Sequence, residues 1–188
     1  MRIISGEKKG KKISPPKNLL IRPTTDKAKE ALFNIITNIY DITNCNILDL
    51  YSGSGNISYE FASRGAKKII SVDSNRNSIK FIDKIAKDES FPITTFLSKA
   101  EKFIEKSLGS FAIIFADPPY EYSFNSYKYL IEKMLEKKLL MKNGMIIIEH
   151  DKINDLSAIH RFKEVRNYGG CCFSSVSYTH LTLPTNTT

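Results

Sequence analysis

The stretch from Asn46 to Asp73 constrains the fold more than any other part of this 188-residue chain. Asn46-Ile47-Leu48-Asp49-Leu50-Tyr51 is a short apolar run that stops at Ser52-Gly53-Ser54-Gly55. An amphipathic piece, Asn56 to Arg64, follows and is closed by Gly65. This is the order strand, glycine loop, helix, C-cap. Lys68-Ile69-Ile70-Ser71-Val72-Asp73 then repeats the strand pattern and ends on an acid. A strand that returns through a helix to a parallel neighbour makes a right-handed crossover, and such sheets carry helices on both faces.

The remainder extends this alternation. Arg22-Pro23-Thr24-Thr25-Asp26 leads into Ala28, Leu32, Phe33, Ile35, Ile36 and Ile39, which predicts a helix of about four turns with Thr25 or Asp26 as N-cap. Further helices are expected over 76–88, 100–106 and 127–140, with Gly144 breaking the last. Strands are expected over 94–97, 111–116 and 145–149. Residues 162–168 and 171–178 around Gly169-Gly170 read as an antiparallel hairpin edge. The fold class is therefore α/β, Rossmann-like, with a mostly parallel sheet. A hydrophobic fraction of 41% and a charged fraction of 26% fit one globular domain and exclude a disordered chain.

Cys45, Cys171 and Cys172 are odd in number, lack CxxC spacing and read as structural thiols of a reducing compartment. There is no run of ~18 apolar residues and no apolar leader after Met1. The expectation is a cytoplasmic protein with no membrane contact.

The net charge of +8 is concentrated at one end. Residues 1–30 hold nine Lys or Arg against three acids, and the rest of the chain holds nineteen against seventeen. The first 20 residues, with Gly6, Gly10, Pro15 and Pro16, read as a basic hairpin appended to a nearly balanced body. Arg2, Lys8, Lys9, Lys11, Lys12, Lys17 and Arg22 are the expected contacts to a polyanion, with nucleic acid the leading partner.

In Asp49-x-x-x-Gly53-x-Gly55 the glycines let a ligand approach the backbone, and the helix after them offers free N–H groups. Asp73 falls at the tip of the second strand, where a carboxylate can accept both ribose hydroxyls of a nucleoside. A dinucleotide fingerprint wants a third glycine where Ser58 stands, and Asp49 would repel a pyrophosphate. The pattern suits S-adenosylmethionine better than a nicotinamide cofactor.

Asp117-Pro118-Pro119-Tyr120 follows directly on FAIIFA, at the C-terminal rim of the sheet where open α/β folds bind ligands. Two prolines restrict the loop. The exocyclic amine of a base is a weak nucleophile because its lone pair is delocalised into the ring. A carboxylate and a backbone carbonyl accepting its two N–H protons would free that pair, and an aromatic neighbour can stack on an extruded base.

RPTTDKAKEALFN, LDLYSGSGNISYEFASRGA, FADPPY and IIIEHD, in this order, resemble the RsmD family over residues 1 to about 173. These are bacterial methyltransferases that modify the N2 amine of one guanine in 16S ribosomal RNA of the small subunit. The resemblance implies a class I methyltransferase fold with a seven-stranded sheet, S-adenosylmethionine as cofactor, no metal, and a monomer. It places Asp117, Pro118, Pro119 and Tyr120 at the reacting amine. Tyr51, Ser52, Gly53, Ser54, Gly55 and Asn56 would lie around the methionine part, Asp73 at the ribose and Ser74 by the adenine. Asp49, Arg22, Thr24, Thr25 and Asp117 would border the cofactor, and the basic hairpin would touch RNA. In place of the family's acid before Ala100, this chain has Lys99, which leaves Lys99 and Ala100 beside the adenine.

Other features read as structural. Glu149-His150-Asp151 is expected to cap a strand end, and Tyr122, Phe124, Tyr127 and Tyr129 divide between core and base-facing wall. The final SVSYTHLTLPTNTT resembles a translated adaptor. The expected organisation is a hairpin over 1–20, a methyltransferase domain over 21–174 and a non-native or disordered tail over 175–188. The leading function is guanine-N2 methylation of 16S ribosomal RNA. The alternatives are DNA adenine-N6 methylation, which shares the Asp-Pro-Pro-Tyr loop, and a non-catalytic ribosome-assembly factor.

Overall fold

The computed structural model describes residues 1–17, 19 and 24–178. Seven strands form one sheet: β1 (Asn46–Leu50), β2 (Lys68–Asp73), β3 (Ile93–Leu97), β4 (Phe111–Ala116), β5 (Leu140–His150), β6 (Phe162–Tyr168) and β7 (Cys171–Ser177). Their order is β3-β2-β1-β4-β5-β7-β6. The first five run parallel, and β7 is antiparallel to both β5 and β6.

Alternate residues of the central strands feed two cores, as the period of two requires. Ile47, Ile113, Phe115 and Ile147 pack with Phe33 and Ile36 of α1 (Asp26–Ile39) and Phe61 of α2 (Asn56–Ser63). Leu48, Leu50, Ile114, Ile146 and Ile148 pack with Ile104 of α4 (Ala100–Lys106) and Leu130 and Met134 of α5 (Phe124–Glu136). The remaining helix, α3 (Arg76–Glu89), contributes Ile82 to a third cluster with Ile3, Ile13 and Tyr59. Thr25 caps α1 by accepting the Ala28 amide at 3.2 Å, the role the sequence suggests for it.

Three elements differ from their sequence reading. The first is α2, which is buried on all sides rather than amphipathic. Its outward face is covered by the N-terminal hairpin, whose single antiparallel bridge joins Arg2 and Lys12. Glu60 of α2 is fully buried and accepts the amides of Ile4 at 2.8 Å and Ser5 at 3.0 Å. Arg64 donates to the same carboxylate at 2.9 Å, and the Lys29 ammonium stands 3.4 Å away. Lys29, only 1% exposed, also donates to the Arg2 carbonyl at 2.6 Å and to Asn56 Oδ1 at 2.8 Å. The hairpin is thus part of the core, not an appendage.

The second difference is β5, which begins at Leu140 and runs through Gly144. α5 stops at Glu136, Lys138 turns the chain with φ +55°, and Leu140 pairs with Phe111 across a register shift. A Cβ at Gly144 would stand 2.8 Å from the Ala112 carbonyl, so this glycine permits a close strand approach rather than a break. The third is the tail: the hairpin lies at the sheet edge as expected, with β6 outermost and β7 between it and β5. Ser175, Val176 and Ser177 pair with Ile147, Ile146 and Met145, so the tail expected from residue 175 begins no earlier than the end of this strand. Tyr178 also packs, donating its hydroxyl to the Leu135 carbonyl at 3.0 Å. Residues 179–188 lie outside the described residues.

Candidate active site

The loop after β1 bends through three left-handed positions: Tyr51 at φ +60°, Gly53 at +52° and Gly55 at +80°. Glycine is required at 55, where a Cβ would meet the Tyr59 ring at 2.6 Å. Gly55 sits behind the loop as the N-cap of α2 and closes the turn through its amide to the Ser52 carbonyl at 2.7 Å. Asp73 receives the Gly53 amide on one carboxylate oxygen at 2.8 Å and the Asn75 amide on the other at 2.7 Å. The acid that ends β2 therefore fixes the glycine loop as well as facing the cleft. Asp49 is buried and accepts the Ser58 hydroxyl at 2.5 Å; Ser58 in turn lies 2.7 Å from Ser71 Oγ. Burial pushes the Asp49 carboxyl up to about 7, with Asp73 adding to the rise and the Ser58 hydroxyl opposing it. Serine at 58, in the position of a missing third glycine, is thus the partner of this carboxyl.

Two cavities open along the C-terminal rim. The first, of about 460 Å³, is lined by Thr24, Asp49, Tyr51, Ser52, Gly53, Ser54, Asn56 and Asp73 on one side and by Phe115, Asp117, Pro118, Pro119, Tyr120 and Glu121 on the other. The second, of about 420 Å³, is lined by Ser74, Ser98, Lys99, Ala100, Glu101 and Tyr122 together with Tyr51, Asp73 and Pro119. Tyr51, Asp73 and Pro119 line both, so the two cavities are neighbouring compartments of one cleft.

Thr25, an expected cofactor residue, lies elsewhere: it lines a third cavity of about 340 Å³ with Thr24, Glu149, Tyr168 and the Gly169-Gly170 turn. Arg22 lies outside the described residues. Sequence reasoning missed Asn75, Ser78 and Glu101. Asn75 was legible as a polar N-cap directly after β2, and it caps α3 by accepting the Asn77 amide at 2.8 Å.

The Glu149-His150-Asp151 run behaves structurally. His150 is buried with its two ring nitrogens 2.6 Å from the Asp151 carbonyl and 2.8 Å from Ser174 Oγ. Asp151 accepts the Ile153 and Asn154 amides, both at 3.0 Å, and Glu149 accepts the Thr24 hydroxyl at 3.0 Å. Among the described residues no group of acids, histidines and cysteines is arranged to hold a metal ion. Cys45, Cys171 and Cys172 are buried free thiols. Among the described residues no helix is long and apolar enough to cross a membrane. Of the aromatic group, Tyr127 is buried core, Tyr129 is exposed, and Tyr120 and Tyr122 line the cleft.

The hairpin's cations fall into two sets. Arg2 pairs with Asp26 at 3.3 Å, Lys8 with Glu7 at 3.5 Å, and Lys11 with Glu89. Lys9, Lys12 and Lys17 are exposed and make no ion pair among the described residues. The hairpin also reaches the glycine loop, since Ser54 Oγ lies 3.7 Å from the Met1 sulfur.

Comparison with known proteins agrees with this architecture. The family model named Conserved hypothetical protein 95 matches residues 1–176. YlbH of Bacillus subtilis, provisionally named an rRNA methyltransferase, is 34% identical, with 81% of this chain and 83% of that protein covered. The ribosomal RNA small subunit methyltransferase D of Buchnera aphidicola (Baizongia pistaciae) is 31% identical, with 80% and 76% covered. The solved structure of yhhF from Escherichia coli, provisionally described as a methyltransferase, superposes with a TM-score of 0.80 at 23% identity, covering 94% of this chain and 98% of that one. A strand order of 3-2-1-4-5-7-6, a glycine loop facing an Asp-Pro-Pro-Tyr loop across one cleft, and a family match over almost the whole length make this chain a class I methyltransferase of the Conserved hypothetical protein 95 family, to which the ribosomal RNA small subunit methyltransferase D proteins belong.

Proposed function

We propose that this protein transfers a methyl group from S-adenosylmethionine to the exocyclic N2 amine of a guanine in 16S ribosomal RNA of the small subunit. The observation that carries the reading is the first cavity, where the glycine loop and Asp117 to Tyr120 face each other. The residues present fit the cofactor. The Asp73 carboxylate, held by two loop amides, stands between the compartments where a ribose would lie. Ser74, Lys99 and Ala100 line a compartment suited to adenine, and Ser52 to Ser54 with Asn56 border one suited to the amino acid part. When bound, S-adenosylmethionine supplies an electrophilic methyl group that carries its own leaving group.

The chain's own work is positional. Asp117 and a backbone carbonyl of the proline loop would accept hydrogen bonds from the amine's two N–H groups, turning its lone pair toward the methyl donor. The one proton the nitrogen sheds on taking up the methyl group would pass to the Asp117 carboxylate. Tyr120 stacks on the base. No metal and no covalent enzyme intermediate is needed. The relatives' names carry the substrate class, since they concern ribosomal RNA.

The test is methyl transfer from radiolabelled cofactor to small subunits, naked 16S RNA and DNA in parallel, with nucleoside analysis of the product. N2-methylguanosine in the ribosomal samples is the expected result. N6-methyladenine in DNA would move the assignment to the adenine enzymes that share the loop. Absence of label despite cofactor binding would favour an assembly factor.

We infer a polyanion surface narrower than the full set of hairpin cations. Lys9, Lys12 and Lys17 are the expected phosphate partners, because Arg2, Lys8 and Lys11 already face acids. Replacing Lys9 and Lys12 by Gln should raise the Michaelis constant for RNA and flatten its dependence on log salt by about 1 for each lysine that had neutralised a phosphate. An unchanged slope removes these lysines from the interface.

A further inference from the structure

Three loops that leave different strands meet at one carboxylate oxygen. Glu101, in the first turn of α4, accepts the Tyr122 hydroxyl at 2.7 Å and the Tyr51 hydroxyl at 3.1 Å, both on Oε1. The two hydroxyls stand 3.1 Å apart, and their rings meet edge to face with centroids 6.3 Å apart. Tyr51 directly follows β1 and Glu101 belongs to the segment after β3. Tyr122 lies in the loop after β4 that opens with Asp117.

This triangle has two mechanical consequences. Tyr51 occupies left-handed backbone at φ +60°, a strained position for a non-glycine residue that persists only where the surroundings hold it. Its tether to Glu101 is one such restraint. The Tyr122 amide donates to the Pro119 carbonyl at 3.0 Å, so whatever fixes Tyr122 also fixes the proline loop. Tyr51 and Pro119, together with Asp73, are in turn the wall common to both compartments of the cleft. Glu101 thus acts on the partition from both sides. Burial works to protonate it. The Tyr122 hydroxyl, a helix amide, the Tyr51 hydroxyl and Lys99 outweigh burial and hold it below the usual glutamate value, so it stays a double acceptor at neutral pH.

We infer that Glu101 is a positioning residue that ties the Asp117 loop to the nucleoside compartment, so that filling this compartment and setting the amine-binding loop are one event. The inference rests on the assignment of the two compartments made above. It assigns the cofactor side of the site a share in the rate of methyl transfer through a residue that need not touch the amine.

The experiment compares Glu101→Ala, Glu101→Gln and Tyr122→Phe with the parent. S-adenosylhomocysteine affinity is measured by calorimetry, kcat at saturating cofactor and RNA, and folded fraction by denaturation. Glu101→Ala should weaken S-adenosylhomocysteine by about tenfold, the scale of a missing charge-assisted hydrogen bond. Its kcat per folded molecule should fall by about 10²-fold, the scale of a ~1 Å misplacement. Glu101→Gln keeps an amide oxygen for both hydroxyls and should restore most of each loss. Tyr122→Phe removes one tether without emptying the space and should lower kcat more than affinity. If Glu101→Ala does not fold, this variant carries the test alone. Unchanged affinity and kcat per folded molecule in Glu101→Ala, or a Gln variant as impaired as the Ala variant, would overturn the inference. A parent protein that binds no S-adenosylhomocysteine overturns the compartment assignment itself, and is told apart by the first titration.

Discussion

Asp117→Ala should lower kcat for methyl transfer by about 10²- to 10⁴-fold, the range for a positioned acid–base group, while S-adenosylhomocysteine affinity stays within a few-fold. The asymmetry follows from how the loop is held. The Asp117 amide reaches the Leu50 carbonyl at 3.4 Å, and the two prolines restrict the next two φ angles, so shortening the side chain leaves the backbone course in place. The proposed ribose contact is Asp73, which also holds the Gly53 amide, on the opposite wall. What disappears is the carboxylate proposed to accept an N–H of the amine. Asp117→Asn is a sharper probe, since its amide keeps one acceptor and adds a donor that repels an N–H. Nearly parental turnover of the Asn variant would mean that one neutral acceptor suffices. Equal loss of turnover and cofactor affinity in the Ala variant would make Asp117 a binding residue.

The second large effect is on stability. Glu60→Ala should lower unfolding free energy by about 3–5 kcal/mol, the cost of removing one partner of a buried ion pair. Glu60 is fully buried and Lys29 nearly so, and burial already holds the lysine below its usual value despite the raising influence of Glu60. The variant leaves that ammonium with only the Arg2 carbonyl and Asn56. It also orphans the Ile4 and Ser5 amides. Replacing both charges, as in Lys29→Met with Glu60→Leu, often recovers stability when a pair stands alone. Here recovery should be small, because the two hairpin amides that Glu60 accepts stay unpaired. Urea denaturation of the two variants beside the parent decides this. Full recovery in the double variant would show that the hairpin draws nothing from Glu60. A released hairpin should also become sensitive to limited proteolysis at Lys8, Lys9, Lys11 and Lys12.

What could be read from the sequence was local. The short apolar run Ile47 to Leu50, the glycines after it and the acid ending β2 pointed to the first crossover, and the Gly53 amide does bond Asp73. Asp117 to Tyr120 could be placed at the rim because FAIIFA admits only one end for the loop. The misses involve partners distant in sequence. Glu60 and Ser63 look like the wet face of a helix until Ser5 and Lys8 cover them, with Ser63 Oγ donating to the Ser5 carbonyl at 2.7 Å and accepting the Lys8 amide at 3.0 Å. Glu101 resembles any first-turn acid, because its partners Tyr51 and Tyr122 come from two other loops. Strand order is likewise invisible to periodicity. A hairpin formed by 162–168 and 171–177 has the same pattern whichever of its strands meets β5.

The place of β7 also governs how the molecule can be made. Synthesis runs from the N-terminus, yet the last of the described strands to emerge is an interior one, flanked by β5 and β6. Until residues 171–177 leave the ribosome, β5 presents an open row of amides and carbonyls along Met145 to His150. β6 has no neighbour to pair with over the same interval. The Ile146, Ile147 and Ile148 edge is the segment a nascent chain must keep from pairing with another copy until residues 171–177 close it. A chain released even a few residues short of Ser177 would therefore be an aggregation hazard rather than a slightly weakened enzyme.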